Sequence, residues 1–225
     1  MVLAVMSVLL SLLLPVLFSV KQQARIVVCS SNLRQIGLAW GAYLAETEGR
    51  FPVWRLNMHW FYGGKHPSLA TSIAELPYRP LNPFVALDEQ DTPGSHLFRC
   101  PEDRDIRAGD GSPGPTKGHT TNEYYGNSYP MNFLLLRQFN GIRWVPVSLA
   151  NVRMDHSLVV MAGDCQWYYS VNDVHWDAHF HNRDDQMNLL FVDGHAAYTQ
   201  IVRGGAVTSD YSFLLSLPPE EKEED

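Results

Sequence analysis

The sequence predicts an α+β fold in which one long N-terminal helix packs on a small antiparallel β-sheet with long irregular loops. Three observations predict it. Positions 1–20 contain no charged residue. An apolar stripe at helical spacing follows and runs as far as Tyr43. Towards the other end, two apolar runs flank Asp193-Gly194, the pattern of a hairpin.

A chain of 225 residues suits one domain plus an anchor. It is 45% hydrophobic and 18% charged, which is enough apolar material for a core and too little charge for a disordered chain. The net charge is -7 and there is no Lys/Arg-rich run, which argues against a nucleic-acid partner. Composition divides the chain into four parts: an apolar segment 1–20, its amphipathic continuation 21–48, a β domain 49–217, and an acidic tail 218–225. The tail follows Pro218-Pro219 and reads as a solvated end.

The first helix begins as a membrane segment. Twenty apolar residues in a helix span about 30 Å, the thickness of a hydrocarbon core. A cleaved signal peptide fits less well, because there is no basic n-region, the apolar run is long, and no small-x-small cleavage site follows. Pro15 removes one helical hydrogen bond and is read as a kink that lipid-embedded helices tolerate. Lys21, Arg25 and Arg34 all follow the apolar run, so the positive-inside rule alone would hold the C-terminal domain in the cytoplasm.

Beyond Lys21 the helical pattern continues. Cys29, Leu33, Ile36, Trp40 and Tyr43 are spaced four, three, four and three apart, and so share one face. Ser30, Ser31, Arg34, Gln35 and Glu46 lie largely off it. Gly49 and Pro52 end the helix near Glu48.

These residues carry a family resemblance. Cys29-Ser30-Ser31-Asn32-Leu33-Arg34-Gln35-Ile36-Gly37-Leu38-Ala39, then Tyr43, then Gly49-Arg50-Phe51-Pro52 resemble the major-pseudopilin-like proteins of type II secretion. That family carries a prepilin-type cleavage and methylation segment. Positions 12–17, 98–103, 128–132 and 189–195 extend the likeness through most of the chain. It implies a pilin-like fold and resolves the charge problem, since a basic leader would precede the apolar run and be removed by a prepilin peptidase. By analogy Met1 falls about seven residues inside the mature helix, because the opening Phe-Thr-Leu-Ile-Glu stretch of the family is missing. The family's C-terminal His, nine residues, Asp-Gly signature is also altered. Eleven residues separate His181 from Asp193.

In the β domain, residues 50–96 read as an aromatic-rich excursion with a short helix over 68–75. His96–Cys100 reads as a strand stopped by Pro101, and 102–127 as loop. Leu158–Ala162 has strand length. Met187–Val192 and His195–Val202 are expected to pair through Asp193-Gly194, a two-residue turn with positive φ at both central positions.

The stretch Asp173, His175, Asp177, His179, His181, Asp184, Asp185 crowds potential ligands together. His179 and His181 share a face on a strand. With Asp184 and Asp185 they form the candidate metal set, for a transition metal through imidazole or for calcium through carboxylate. Related major pseudopilins bind calcium in a C-terminal loop, which favours Asp184 and Asp185. A hydrogen-bonded surface loop is the competing reading, with Asp164 as a hydrogen-bond partner of His181. No nucleophile elbow, phosphate loop or His-Glu-x-x-His occurs, so no enzyme activity is expected.

Three cysteines, Cys29, Cys100 and Cys165, leave room for one bridge. The family resemblance includes Cys29 and Cys100, and Cys29 lies on the inward stripe. Cys29–Cys100 is therefore the favoured pair, with Cys100–Cys165 or no bridge as alternatives.

The resemblance implies a structural subunit of a type IV pilin-like filament or type II secretion pseudopilus. It would be single-pass in the inner membrane before assembly, with its C-terminal domain in the periplasm or at the cell surface. Its partners would be other pilin or pseudopilin subunits, the inner membrane, and prepilin peptidase acting on the full-length precursor. Two rivals remain: a membrane-tethered hydrolase using a metal in 173–195, and an anchored binding domain presenting the aromatics of 54–84.

Overall fold

The computed structural model describes residues 2–53, 59–65, 79–85, 93–103, 119–136, 138–139, 144–171, 181 and 185–216. Helix α1, Val2–Glu46, is continuous and runs through Pro15 without a break. It ends where the sequence punctuates it. Gly49, at φ 75°, donates its N–H to Leu44 O, and Phe51 then joins Val147 O. Two short helices follow, α2 at Thr121–Tyr125 and α3 at Gln166–Val171. The strands are β1 at Gln138–Phe139, β2 at Trp144–Val145, β3 at Val160–Gly163, β4 at Gln186–Phe191 and β5 at Ala196–Gln200. β1 and β2 pair with each other, while β3, β4 and β5 form an antiparallel sheet in that order.

The central strand explains the layering. Side chains alternate across a strand. From β4, Met187, Leu189 and Phe191 enter a cluster with Trp167, Ile201, Tyr211 and Phe213. Leu190, one register step away, enters the larger cluster with Cys29, Leu33, Ile36 and Trp40 of α1. The sheet is therefore covered by α1 on one face and by α3 with the C-terminal segment on the other. Leu33, Ile36 and Trp40 are fully buried, so the helical stripe is a core face. At Gly37 the helix comes closest to the sheet. A Cβ there would lie 2.8 Å from Leu190 Cδ1 and 3.0 Å from Gly194 O.

Two expectations about the strands are corrected. The hairpin joins β4 to β5 as expected, but through a three-residue loop. Gly194 N–H donates to Phe191 O, Phe191 N–H donates to His195 O, and Leu190 opposes Ala196. Only Gly194 has positive φ, at 91°, whereas Asp193 does not. This is a type I turn closed by a glycine bulge, not the two-residue turn. Asp193 Oδ1 instead accepts from His195 N–H at 3.0 Å. The segment expected as a strand over 96–100 is a 3-10 turn, Pro93–Phe98, with Phe98 and Cys100 buried. Pro93 fixes φ at the turn's first position, and no neighbouring strand offers a ladder among the described residues.

The helix expected over 68–75 and the acidic tail 218–225 lie outside the described residues, as do residues 104–118 of the loop expected over 102–127. The end of that loop is corrected: Thr121–Tyr125 is the helix α2, started by the capping box of Thr120 and Glu123 and ended at Gly126. Among the described residues, no helix is long and apolar enough to cross a membrane. Side chains 1–5, 7–10 and 12 of the expected span are not among those described. The described side chains from Leu13 to Val20 are all exposed, with Phe18 at 70%.

Candidate functional site

The helix is fastened to the domain along a narrow seam. Gln22 Nε2 donates to His181 O, and Arg25 pairs with Glu102. One turn on, Cys29 is joined to Cys100 in a disulfide with Cα atoms 5.5 Å apart. Asn32 then donates to Arg99 O and Tyr129 OH, both at 3.2 Å. Positions 22, 25, 29 and 32 fall on one helical face, continuous with the apolar stripe at 33, 36 and 40. The seam therefore begins at Gln22, where the exposed apolar half of α1 ends.

At the middle of the seam, four ligand-type side chains converge. The ligand atoms of Cys29, Cys100, Asp164 and His181 all lie within 4.8 Å of one another, and all four residues are fully buried. Each arrives on a different element: Cys29 from α1, Cys100 from the loop before Pro101, Asp164 from the end of β3, and His181 from just ahead of β4. Asp164 is held by three hydrogen bonds, all with Asn188. Its backbone N–H donates to Asn188 O at 3.0 Å, and its Oδ2 accepts from Asn188 N–H at 2.8 Å and Asn188 Nδ2 at 3.0 Å. His181 Nε2 lies 3.2 Å from the same Oδ2 and 3.7 Å from Cys100 Sγ. His181 adopts φ 60°, an uncommon conformation for a residue with a side chain. Asp164 Oδ1 and His181 Nδ1 are buried with no hydrogen-bond partner among the described residues.

A second buried polar group stands beside this one. Asp103 accepts from Thr121 N–H at 2.9 Å, Asn122 N–H at 2.7 Å and Ser128 Oγ at 2.5 Å. Burial pushes its carboxyl above the usual range, and those donors oppose the shift. Cys165 is a free, buried thiol. Burial, with the charge of Asp103 next, raises it well above an ordinary thiol, so it is not a thiolate at neutral pH.

Of the metal set expected from the sequence, His179, His181, Asp184 and Asp185, only His181 and Asp185 are among the described residues. His179 and Asp184, with Asp173, His175 and Asp177, lie outside the described residues. His181 faces Asp164 and Cys100, as the competing hydrogen-bonded reading expected of Asp164. Asp185 is instead engaged by Arg203 Nε at 2.9 Å and Ser170 Oγ at 3.2 Å. Asp193 and Gly194 serve the hairpin turn. Of the aromatic region 54–84, Trp60, Phe61 and Tyr62 are buried core residues, whereas Trp54 and Tyr78 lie outside the described residues. Trp60 stacks on Tyr125 at 4.6 Å, so these rings form no exposed platform.

Asp164 was found as a partner for His181, but its convergence with the two cysteines was not. No spacing rule relates positions 29, 100, 164 and 181, and only the packing of α1 on the sheet brings them together. No family model, curated protein or solved structure matches the chain.

Proposed function

We propose that the chain is a structural subunit of a type IV pilin-like filament or type II secretion pseudopilus, anchored in the inner membrane before assembly. The observation that carries this reading is the division of α1. Its C-terminal half is fastened by a disulfide, an ion pair and a buried apolar stripe, while its N-terminal half leaves Leu13, Leu14, Val16, Leu17, Phe18 and Val20 exposed. Contiguous exposed apolar surface of this kind needs lipid or other helices to cover it. A continuous helix allows both in turn: lipid before assembly, and the same segment of other copies afterwards. Head-to-tail contacts that do not close then build a filament.

The role is structural, not catalytic. Among the described residues, the buried pair His181–Asp164 has no exposure to a substrate, and the exposed pair Asp193–His195 closes the hairpin turn. An inner-membrane location with an exported domain follows from the same reading, and an oxidising compartment suits the disulfide. The test is negative-stain microscopy of sheared cell-surface material, with mass spectrometry of the chain's N-terminus. Filaments containing a processed chain are expected. Unprocessed monomers retained in the membrane would overturn the reading.

A further inference from the structure

We propose that Cys29, Cys100, Asp164 and His181 bind one zinc ion in the reduced chain, and that zinc and the Cys29–Cys100 disulfide exclude one another at this position. The inference rests on the four side chains and is independent of the filament reading.

The geometry separates a metal site from a proton relay. A Cys-His-Asp relay uses both ring nitrogens, one towards the sulfur and the other towards the carboxylate. Here a single nitrogen, His181 Nε2, faces both Cys100 Sγ at 3.7 Å and Asp164 Oδ2 at 3.2 Å. Convergence of sulfur, nitrogen and oxygen on one region is what a cation requires. The site is also built and closed: all four residues are fully buried, and the ligand atoms lie within 4.8 Å of one another. Asp164 is held in place by Asn188 through two hydrogen bonds to Oδ2, as outer partners hold metal-binding carboxylates. The unpartnered Asp164 Oδ1 is a buried acceptor that a cation beside the carboxylate would compensate.

The donor set selects the metal. Two thiolates, an imidazole and a carboxylate suit tetrahedral zinc, whereas calcium and magnesium require oxygen ligands. Four protein ligands leave no open position, so the ion is structural. Disulfide sulfurs carry no thiolate charge and do not replace those ligands, which is why the two states exclude one another. Oxidised glutathione serves as a defined oxidant for the loaded site. The Sγ atoms of Cys29 and Cys100 form a bond, the zinc ion leaves, and the electron pair passes to the glutathione disulfide. That disulfide takes up two protons and departs as two thiols. In either state the same two cysteines tie α1 to the domain.

The experiment uses the full chain in detergent, reduced with a phosphine or left oxidised, and probed with Zn(II) and Co(II). About one zinc per reduced chain is expected, and at least roughly tenfold less in the oxidised chain. Co(II) should give the intense visible bands of a tetrahedral sulfur-containing site. His181→Gln and Asp164→Asn should shift those bands and weaken zinc binding by about tenfold or more, whereas Cys165→Ser should leave both unchanged. Adding oxidised glutathione to the zinc-loaded chain should release one zinc for each bridge formed. Three results overturn the proposal: equal uptake by reduced and oxidised chains; wild-type binding by both His181→Gln and Asp164→Asn; or a reduced chain that takes up no zinc. The last applies if circular dichroism shows the fold retained, and equally if reduction unfolds the chain and zinc does not restore it.

Discussion

The two halves of α1 share one backbone geometry and meet opposite surroundings. From Gln22 to Leu44, every turn of the helix places a residue against the domain: Arg25 on Glu102, Cys29 on Cys100, Asn32 on Arg99 and Tyr129, then Leu33, Ile36 and Trp40 in the core. From Leu13 to Val20, the described side chains meet solvent. Helical structure therefore does not distinguish the halves, but burial does. Most helical stability in a folded protein comes from packing one face, not from propensity. The seam should thus govern the stability of the domain, and the exposed half should govern what the domain is attached to.

The largest expected effect of breaking the seam is at Trp40, which packs against Tyr43, Phe51 and Tyr62. Trp40→Ala should cost about 3–5 kcal/mol in denaturant unfolding of the chain in detergent. Cys29→Ser removes a bridge between residues 71 apart in sequence, and should cost about 2–4 kcal/mol. The wild-type chain under reducing conditions without metal should lose a similar amount, and a loss confined to the variant would point to packing alone. Gly37→Ala inserts a methyl group against Leu190 and the backbone of Gly194. It should cost about 1–3 kcal/mol through overpacking, less the small helix preference of alanine over glycine. A smaller effect lies away from the seam, in the domain's own capping. Glu123 accepts from Thr120 N–H at 2.9 Å, which holds its carboxyl below the usual range. Since the folded state depresses this carboxyl, its contribution is present above the ordinary carboxylate range and lost as pH falls through its folded value. Glu123 is substantially exposed, so solvent screening limits the effect to about 0.5 kcal/mol or less, read as the difference between wild type and Glu123→Gln across an acid titration of stability.

The same division sets how far the sequence was readable. The stripe 29, 33, 36, 40 was legible because a helix buried on one face imposes a period that any reading of apolar residues detects. The β4–β5 pairing was legible for the analogous reason, with Asp193-Gly194 marking the turn. The turn type was not, because two-residue hairpins and glycine-bulge hairpins both place Gly in the left-handed region. His96–Cys100 misled because apolar residues at Leu97 and Phe98 before a proline fit a strand locally. A strand also needs a partner, and pairing is non-local information. The buried cluster was legible only in pieces. The crowding of His and Asp at 173–185 drew attention to His181, yet its neighbours come from three distant segments, and Asp185, the described acidic residue nearest to it in sequence, pairs with Arg203 instead.

The smallest expected effect on stability belongs to the exposed half and bears most on function. Leu17→Ser should change domain stability by less than about 0.5 kcal/mol, since its side chain is 60% exposed. In cells the same substitution should reduce the chain recovered in sheared filaments.

The central claim, that this half of α1 packs against other copies, is tested most directly by a photo-crosslinking residue placed at Phe18 in cells that express the chain. Sheared surface material should then show a ladder of covalent multimers linked through Phe18, while the same probe at the exposed Val202 of the domain should not reproduce the ladder. Lipid adducts alone at Phe18, with the chain remaining monomeric in the membrane, would contradict the account and leave an anchored domain that does not polymerise.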